Sequence, residues 1–460
     1  MEPRATAGAI AALVLLPALA LVLVPRPRAQ GLERLLSQVA LIQSFPSQGR
    51  LGAPPLWQQR LGPSLAGQVW NRQHLWWQFW AEHGDSAAYL AVPWASLPEP
   101  YRQALPPNSL RVDDLLVIAP DPLSQRLLSD ELQLKQRQGQ GLLQRCRQRL
   151  EQDQAVYWSP VGLAALVGPV APLLQQVQQG CLSLGLRGLG LRGEALLLSG
   201  EASSSQGYFG APRVSDSQAP LAPLGPNVLL ELRGPELDSL LEGLLSRQLI
   251  RDPLAARYGI AQPQLAMIRQ TPFLLRLNRL PKGPFQAGLE LRLAVGPNSR
   301  QWAALLQGLR PALIDQGLVD GGPSLQSPAG AIGSARFPAA QWSREDGQVV
   351  GGWRWLREPG ADPQLLLFLG PDPKGPKADG GPKPDGASKS DWASKSDWTP
   401  AGKALLRLRL RPKDLAGLGL LPPDLPKPVR AASQLAIDAS IRRGDPLSQL
   451  GGSLQWERSR

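Results

Sequence analysis

The sequence predicts an α+β fold of repeated strand–corner–helix units, with a mostly antiparallel sheet and helices packed on one of its faces. Three segments carry this prediction: residues 229–245, 289–309 and 405–420. In each, an alternating apolar strand leads through a Pro- or Asn-marked corner into an amphipathic helix. Charged residues alternate with the leucines of the strands, which indicates one hydrated sheet face and favours antiparallel pairing.

The first of these segments shows the pattern most clearly. Leu230 and Leu232 alternate with charged residues, as in a strand with one apolar face. Gly234 is a candidate N-cap, and Pro235 suits a first helical turn because its missing N–H has no helical partner there. The following leucines recur at helical spacing and predict one apolar stripe: Leu237, Leu240, Leu241, Leu244 and Leu245.

The other two segments repeat the pattern with different corners. Asn298 is a candidate cap with Gln301 in the capping-box position, and Pro412 opens the last helix. Looser versions occur at 115–132 and 155–168. Two interpretations remain open, since strand–corner–helix order is common in α+β and α/β proteins and is also what a duplicated unit would produce.

The N-terminus predicts a membrane anchor or a signal segment over residues 1–28. The run Ala5–Val24 is apolar and about 30 Å long as a helix, which is enough to span a bilayer. Cleavage after Ala18-Leu19-Ala20 is conceivable, but an uncleaved transmembrane helix fits better because cleavage would leave LVLV on the mature end. Arginines after the run favour a cytoplasmic body, whereas a single N-terminal segment usually exports it. We expect an extracytoplasmic body, on the periplasmic or lumenal side.

The next region, within a first α+β region at 31–201, is aromatic. Residues 31–60 predict a short amphipathic helix, LERLLSQVALIQSF, and a connector rich in Pro and Gly. Tryptophans then cluster, and they form either a core patch or an interaction surface at a membrane or ligand. The candidate surface residues in this cluster are Trp70, Trp76, Trp77 and Trp80.

The middle of the chain predicts a first strand at 113–119, a helix within 134–154 and paired strands at 181–201. Residues 202–226 are rich in Ser, Pro, Gly and Ala and predict the linker before a second α+β region at 227–460.

Within that second region we expect strand pairs at 273–280 with 285–295 and at 348–356 with 364–370. The stretch 371–400 contains ASKSDW twice and predicts a disordered insertion. The segments 433–444 and 451–458 predict a closing hairpin.

Composition limits the chemistry. The formal net charge is +12, and Arg407, Arg409 and Arg411 alternate with leucines, which predicts a basic sheet face and a second candidate interaction surface. No nucleic-acid motif accompanies it, so no nucleic-acid partner is expected. Cys146 and Cys181 could form one disulfide in an oxidising compartment or serve as small apolar residues.

Catalytic signatures are missing from the sequence. The two histidines, His74 and His83, lie in neither a nucleophile elbow nor an HExxH motif. The corner GPNSR at 296–300 lacks the lysine of a phosphate loop. We therefore predict no catalytic residue, no metal site and no cofactor.

The anchor and the repeated L-x-L-R, corner, helix units resemble a group of membrane-anchored cyanobacterial proteins known only as a domain of unknown function. The resemblance covers residues 110–460 at most and implies location and fold, with no catalytic residues. Together these observations predict a membrane-anchored, non-enzymatic binding or assembly module whose partner is an unidentified envelope protein or lipid. The alternatives are an unrecognised envelope hydrolase and a lipid- or hydrophobe-binding module.

Overall fold

The structure is a computed structural model with mixed helices and strands dominated by antiparallel pairing. It describes residues 29–47, 52–82, 87–103, 105–133, 141–167, 177–185, 195–203, 224–245, 247–280, 285–321, 339–356, 362–371, 404–421, 427–441 and 447–456. The predicted anchor at 1–28 lies outside these residues, and so does the predicted insertion from residue 372 onward. No helix within the described ranges is both long enough and apolar enough to span a bilayer.

Two compact units divide the chain, residues 1–156 and residues 157–460. The predicted linker at 202–226 is elsewhere, and residues 204–223 of it lie outside the described ranges. The strands at 179–185 and 195–203 belong with the second unit, because they pair with each other and the latter pairs with the strand at 448–455. Long-range pairing, which sequence composition does not reveal, places the division earlier than expected.

The first unit is an antiparallel sheet with short helices between its strands. The strands are β1 Val39–Pro46, β2 Leu75–Ala81, β3 Tyr89–Pro93, β4 Ser109–Val112 and β5 Leu115–Ile118. The helices are α1 Leu32–Leu36, α2 Pro55–Leu61, α3 Pro63–Trp70, α4 Glu99–Gln103, α5 Pro122–Gln133 and α6 Leu142–Gln152. Hydrogen bonding gives the strand order β1–β2–β3–β5–β4, and β6 (Ala155–Trp158) reaches the boundary between the units.

Two predictions about this unit are wrong. The predicted helix LERLLSQVALIQSF stops at Leu36, and its second half is β1, whose residues 39–42 are all buried. Pairing with β2 overrides the helical spacing of the leucines, because each of the two paired strands then buries apolar side chains on the sheet faces. The strand near 113–119 is real as β5, but four strands precede it rather than none.

Tryptophans hold the core of the first unit together. Trp57 is fully buried and meets Trp70 and Trp76 edge-to-face, with ring centroids 5.1 and 5.6 Å away. Such aromatic pairs contribute about 1 kcal/mol beyond the burial of their area. The aromatic cluster of the sequence is therefore largely a core cluster.

The second unit contains most of the sheet. Its strands are β7 Gln179–Gly185, β8 Ala195–Ser203, β9 Val228–Gly234, β10 Phe273–Arg279, β11 Ala287–Leu293, β12 Val319–Asp320, β13 Ala340–Ser343, β14 Val349–Leu356, β15 Gln364–Leu369, β16 Ala404–Leu410, β17 Gln434–Ile441 and β18 Ser448–Gln455. Its helices are α7 Pro160–Val167, α8 Asp238–Leu245, α9 Gln248–Tyr258, α10 Gln262–Arg269, α11 Ser299–Ile314, α12 Pro412–Gly417 and α13 Lys427–Arg430.

Every strand pair of the second unit's sheet is antiparallel. The order is β12–β13–β14–β15–β11–β10–β9–β16–β17–β18–β8–β7. The predicted pairs β7–β8, β10–β11, β14–β15 and β17–β18 are all confirmed. Strands β9, β10, β11 and β16 therefore lie in the middle of the sheet.

The five strand–corner–helix segments all form a strand followed by a helix. Pro412 occupies the first turn of α12 as predicted, whereas Pro235 precedes α8, which begins only at Asp238. Asn298 is the N-cap of α11, but its side chain makes no capping hydrogen bond. A common origin of the segments stays a prediction, since strand–helix order alone does not test it.

Replacing Trp57 by Ala is expected to destabilise the first unit by about 3–5 kcal/mol, because it removes the ring at the centre of the aromatic core. Leu123→Ala in the same unit is the control: Leu123 is 66% exposed, and its loss should change stability by less than about 0.5 kcal/mol. Urea unfolding followed by tryptophan fluorescence measures both. Equal midpoints for the two variants would show that Trp57 is not a core residue.

Candidate binding faces of the central sheet

The central strands present two chemically different faces. Residues opposite each other in an antiparallel pair have their side chains on the same face. The register therefore places Glu290, Arg276, Glu231 and Arg409 in one row across β11, β10, β9 and β16. We call this side of the sheet the charged face. Because side chains alternate along each strand, the leucines between these charged residues lie on the opposite side.

Glu231 is the centre of the charged row. Its side chain is 2% exposed, and Arg233 lies 2.8 Å from Oε1. Arg276 donates from Nε to Oε2 over 2.9 Å and places Nη2 2.8 Å from the same oxygen. Arg409 donates from Nη2 to Oε1. Both oxygens of one buried carboxylate are thus held by arginines from three adjacent strands.

This arrangement fixes the ionisation of Glu231. Burial alone would raise the pKa of the carboxyl, but the positive charges of Arg276, Arg409 and Arg233 outweigh it and lower the pKa from 4.5 to about 2. Glu231 is therefore ionised at neutral pH. A carboxylate with so low a pKa is a poor general base, so the geometry favours a structural role.

Glu290 lies in the same row but behaves in the opposite way. It is 4% exposed, and Asn278 donates to its Oε1 over 2.6 Å, while Oε2 is buried without a hydrogen-bond partner. Burial raises its pKa, although Arg292, Arg276 and Arg354 oppose that shift.

The arginines of the predicted basic surface mostly bind other groups within the protein. Arg409 is buried at 8% exposure beside Glu231, and Arg407 donates from Nε to Asp438 Oδ1 over 2.5 Å. Arg411 donates to the carbonyl oxygens of Leu224 and Gly225 over 2.8 and 3.0 Å. The three arginines share one face as the alternation predicts, but the hydrated surface expected there is wrong for Arg409.

The predicted tryptophan surface is likewise mostly interior. Trp70, Trp76 and Trp77 are 5 to 6% exposed, and Trp77 donates from Nε1 to the carbonyl oxygen of Leu150 over 3.0 Å. Trp80, at the end of β2, is half-buried. These residues are brought together by β2 and α3, so the core alternative fits three of the four.

On the opposite side of the central sheet, two neighbouring rows of side chains consist only of leucines. The register defines one row of Leu408, Leu232, Leu275, Leu291 and Leu367, and a second row of Leu410, Leu230, Leu277, Leu289 and Leu369. We call these two rows the leucine face. All of these residues are half-buried except Leu232, which is 6% exposed, and Leu369, which is 61% exposed.

Exposure of this side rises along the strands. A row beyond the leucine face, where β9 and β11 lead into α8 and α11, contains Phe273, Leu293 and Leu365, which are 0 to 2% exposed. The second leucine row, at the opposite end of the strands, ends in Leu369. The apolar side is therefore closed at the end that leads into α8 and α11 and is most exposed at Leu369 near the other end, where α12 follows β16. The charged face is buried at its centre.

The described residues include one of the two histidines and both cysteines. Among the described residues, no cluster of His, Cys, Asp and Glu could hold a metal ion. His74 is exposed next to β2, and His83 lies outside the described ranges. Both cysteines are fully buried and disulfide-bonded, which resolves their two alternatives in favour of a bond.

No family model, no curated protein and no solved structure matches this chain. The resemblance to the cyanobacterial group consequently stays a prediction.

Replacing Glu231 by Gln should destabilise the second unit by about 3–5 kcal/mol, because it leaves three arginines around a neutral amide in a buried site. The stabilisation from the lowered pKa is present above pH 4.5 and is lost as pH falls from 4.5 toward 2. Urea unfolding of wild type and variant across this range measures the effect. A stability difference that does not narrow as the solution is acidified would contradict the assignment.

Glu290→Gln is the matched control in the same row, since Gln resembles the protonated carboxyl. The raised pKa of Glu290 means that its folded form binds the proton more tightly, so its contribution falls as pH rises above 4.5. The variant should therefore gain stability relative to wild type with rising pH. A loss as large as that of Glu231→Gln would instead make Glu290 a second structural carboxylate.

Proposed function

We propose that the protein is a membrane-anchored, non-enzymatic binding or assembly module whose body lies on the extracytoplasmic side. The observation that carries this proposal is the leucine face. Its leucines form a contiguous apolar surface that is half-buried along most of both rows and exposed at Leu369. Such a surface is typical of an interaction site, because a monomeric protein normally covers its apolar surface completely.

The distribution of charge supports binding over catalysis. Glu231 is neutralised by three arginines of its own sheet, and the guanidinium groups of Arg407 and Arg411 also have partners within the protein. The charged face therefore works as a polar core. The leucine face carries no charge, and its partial exposure supports it as the surface through which the module acts.

Attachment to the membrane is supported by the sequence of the N-terminus. The run Ala5–Val24 is long enough to cross the bilayer as a helix. An extracytoplasmic body is supported by the two disulfide-bonded cysteines, because disulfides persist in oxidising compartments and are rare in the cytosol.

The repeated architecture belongs to the same proposal. Strands β9, β11 and β16 each lead into a helix through a short corner, and the three strands lie within the centre of one sheet. We propose that they descend from one duplicated unit with its helices on a single sheet face. Duplication would explain why leucine and charge alternate in phase along all three strands.

An envelope hydrolase is a second candidate, and the opposite pKa shifts of Glu231 and Glu290 favour it. Their strands are two positions apart in the sheet, about 9.5 Å between backbones. Arg276 lies on the strand between them and donates a hydrogen bond to Glu231. Glu231, the carboxylate that would have to act as the base, is therefore already bound within the sheet. The binding function fits this geometry better.

Two measurements on spheroplasts that express the full chain with a C-terminal tag test the proposal: the side of the membrane on which the body lies, and the oxidation state of its cysteines. External protease should digest the body while a cytoplasmic marker survives. In the denatured chain, a maleimide-polymer reagent should add to Cys146 and Cys181 only after reduction. A tag protected until lysis, or thiols that react without reductant, would contradict an extracytoplasmic location.

A further inference from the structure

We propose that the leucine face binds the acyl chain of a single-chain anionic amphiphile, such as a long-chain carboxylate. This inference rests on the proposed binding function and names its ligand class. It follows from three properties of the face: its uniform side chains, the gradient of its exposure and the charge at its open end.

The side chains of the leucine face offer no hydrogen bond. Every position of its two rows in β16, β9, β10, β11 and β15 is leucine, and the backbone groups beneath are paired in the antiparallel ladders. A protein partner normally forms about one hydrogen bond per 100–200 Å² of interface. An acyl chain needs none, so its chemistry matches this surface better.

The dimensions of the face fit an extended chain. Five strands spaced about 4.8 Å apart make the face about 19 Å wide, and its two rows are about 7 Å apart along the strands. The helical end is closed by Phe273, Leu293 and Leu365. An acyl chain lying over the rows would cover the half-buried leucines and would keep its polar end toward Leu369, where the face is open.

A positive charge lies at that open end. Arg279 follows Leu277 by two residues in β10 and is therefore on the same face, one position beyond the second leucine row. Its ion pair with Asp414 spans 3.5 Å, and both side chains are more than a third exposed, so the pair contributes little and can be exchanged. Arg279 is placed to meet an anionic headgroup.

Photolabelling of the full chain in phosphatidylcholine vesicles tests the inference. A diazirine-bearing palmitate should form adducts on peptides of β10, β11 and β15, and free palmitate should compete with them. Labelling of Ala5–Val24 by probe dissolved in the bilayer is an internal reference for the proposed anchor. Adducts confined to Ala5–Val24, or adducts on the sheet that palmitate does not displace, would overturn the inference.

Substitutions on the face locate the site. Leu369→Asn and Leu277→Asn should each reduce the competed labelling about tenfold, because a polar group replaces an apolar contact. Leu249→Asn is the control, since Leu249 is 89% exposed in α9 and does not belong to the leucine face. Leu369 is 61% exposed, so its substitution leaves folding intact and keeps the test valid if Leu277→Asn unfolds.

The headgroup and the alternative occupant are tested separately. Arg279→Gln should weaken competition by palmitate, which carries a carboxylate, and leave competition by the uncharged hexadecanol unchanged. Equal effects on both competitors would show that Arg279 does not bind the headgroup. Two differently tagged copies that co-purify through the face, with Leu369→Asn abolishing the association and no competed adduct, would overturn the acyl assignment. In that outcome the binding function of the leucine face would stand.

Discussion

The buried carboxylate of Glu231 is the interaction on which the second unit depends. A carboxylate that is 2% exposed is stable only if its charge is compensated, and three arginines from β9, β10 and β16 supply that compensation. The lowered pKa is equivalent to about 3 kcal/mol of stabilisation at neutral pH. Because the partners come from adjacent strands, this contact also fixes the register of the central sheet.

The fixed register has a consequence for the other side of the sheet. When Glu231, Arg276 and Arg409 share a row, alternation along the strands places Leu230, Leu232 and their neighbours together on the opposite face. A slip of one residue would mix charge into the leucine rows. The polar network on one face thereby maintains a purely apolar surface on the other.

Much of the local architecture could be predicted from the sequence. The strands β9, β11 and β16, the helices after them and the hairpins β10–β11 and β17–β18 follow from alternation, corners and helical spacing. The strand β1 could not be predicted in this way, because VALIQSF has an apolar spacing that also suits a helix. Its strand structure depends on pairing with β2, a distant segment that local spacing does not reveal.

The faces of the central sheet were harder to predict than its strands. Alternating Leu with Arg or Glu normally indicates apolar residues inside and charged residues in water. Here Glu231, Glu290 and Arg409 are buried, whereas Leu277 and Leu289 are half-buried and Leu369 is exposed. Sequence spacing shows that two faces exist, but only the register reveals that the charges on one face neutralise each other. The candidate surface at Arg407–Arg411 stays a prediction, although Arg409 is buried beside Glu231.

Thiol accessibility at two adjacent positions tests most directly which face of the sheet is open. Leu369 and Phe368 are neighbours in β15, yet Leu369 belongs to the leucine face and is 61% exposed, whereas Phe368 pairs with Glu290 on the charged face and is 5% exposed. Cysteine introduced at each position in the otherwise disulfide-bonded native chain would report the accessibility of its face. Rapid alkylation of Leu369→Cys and slow alkylation of Phe368→Cys is the predicted result; the reverse order would contradict an open leucine face.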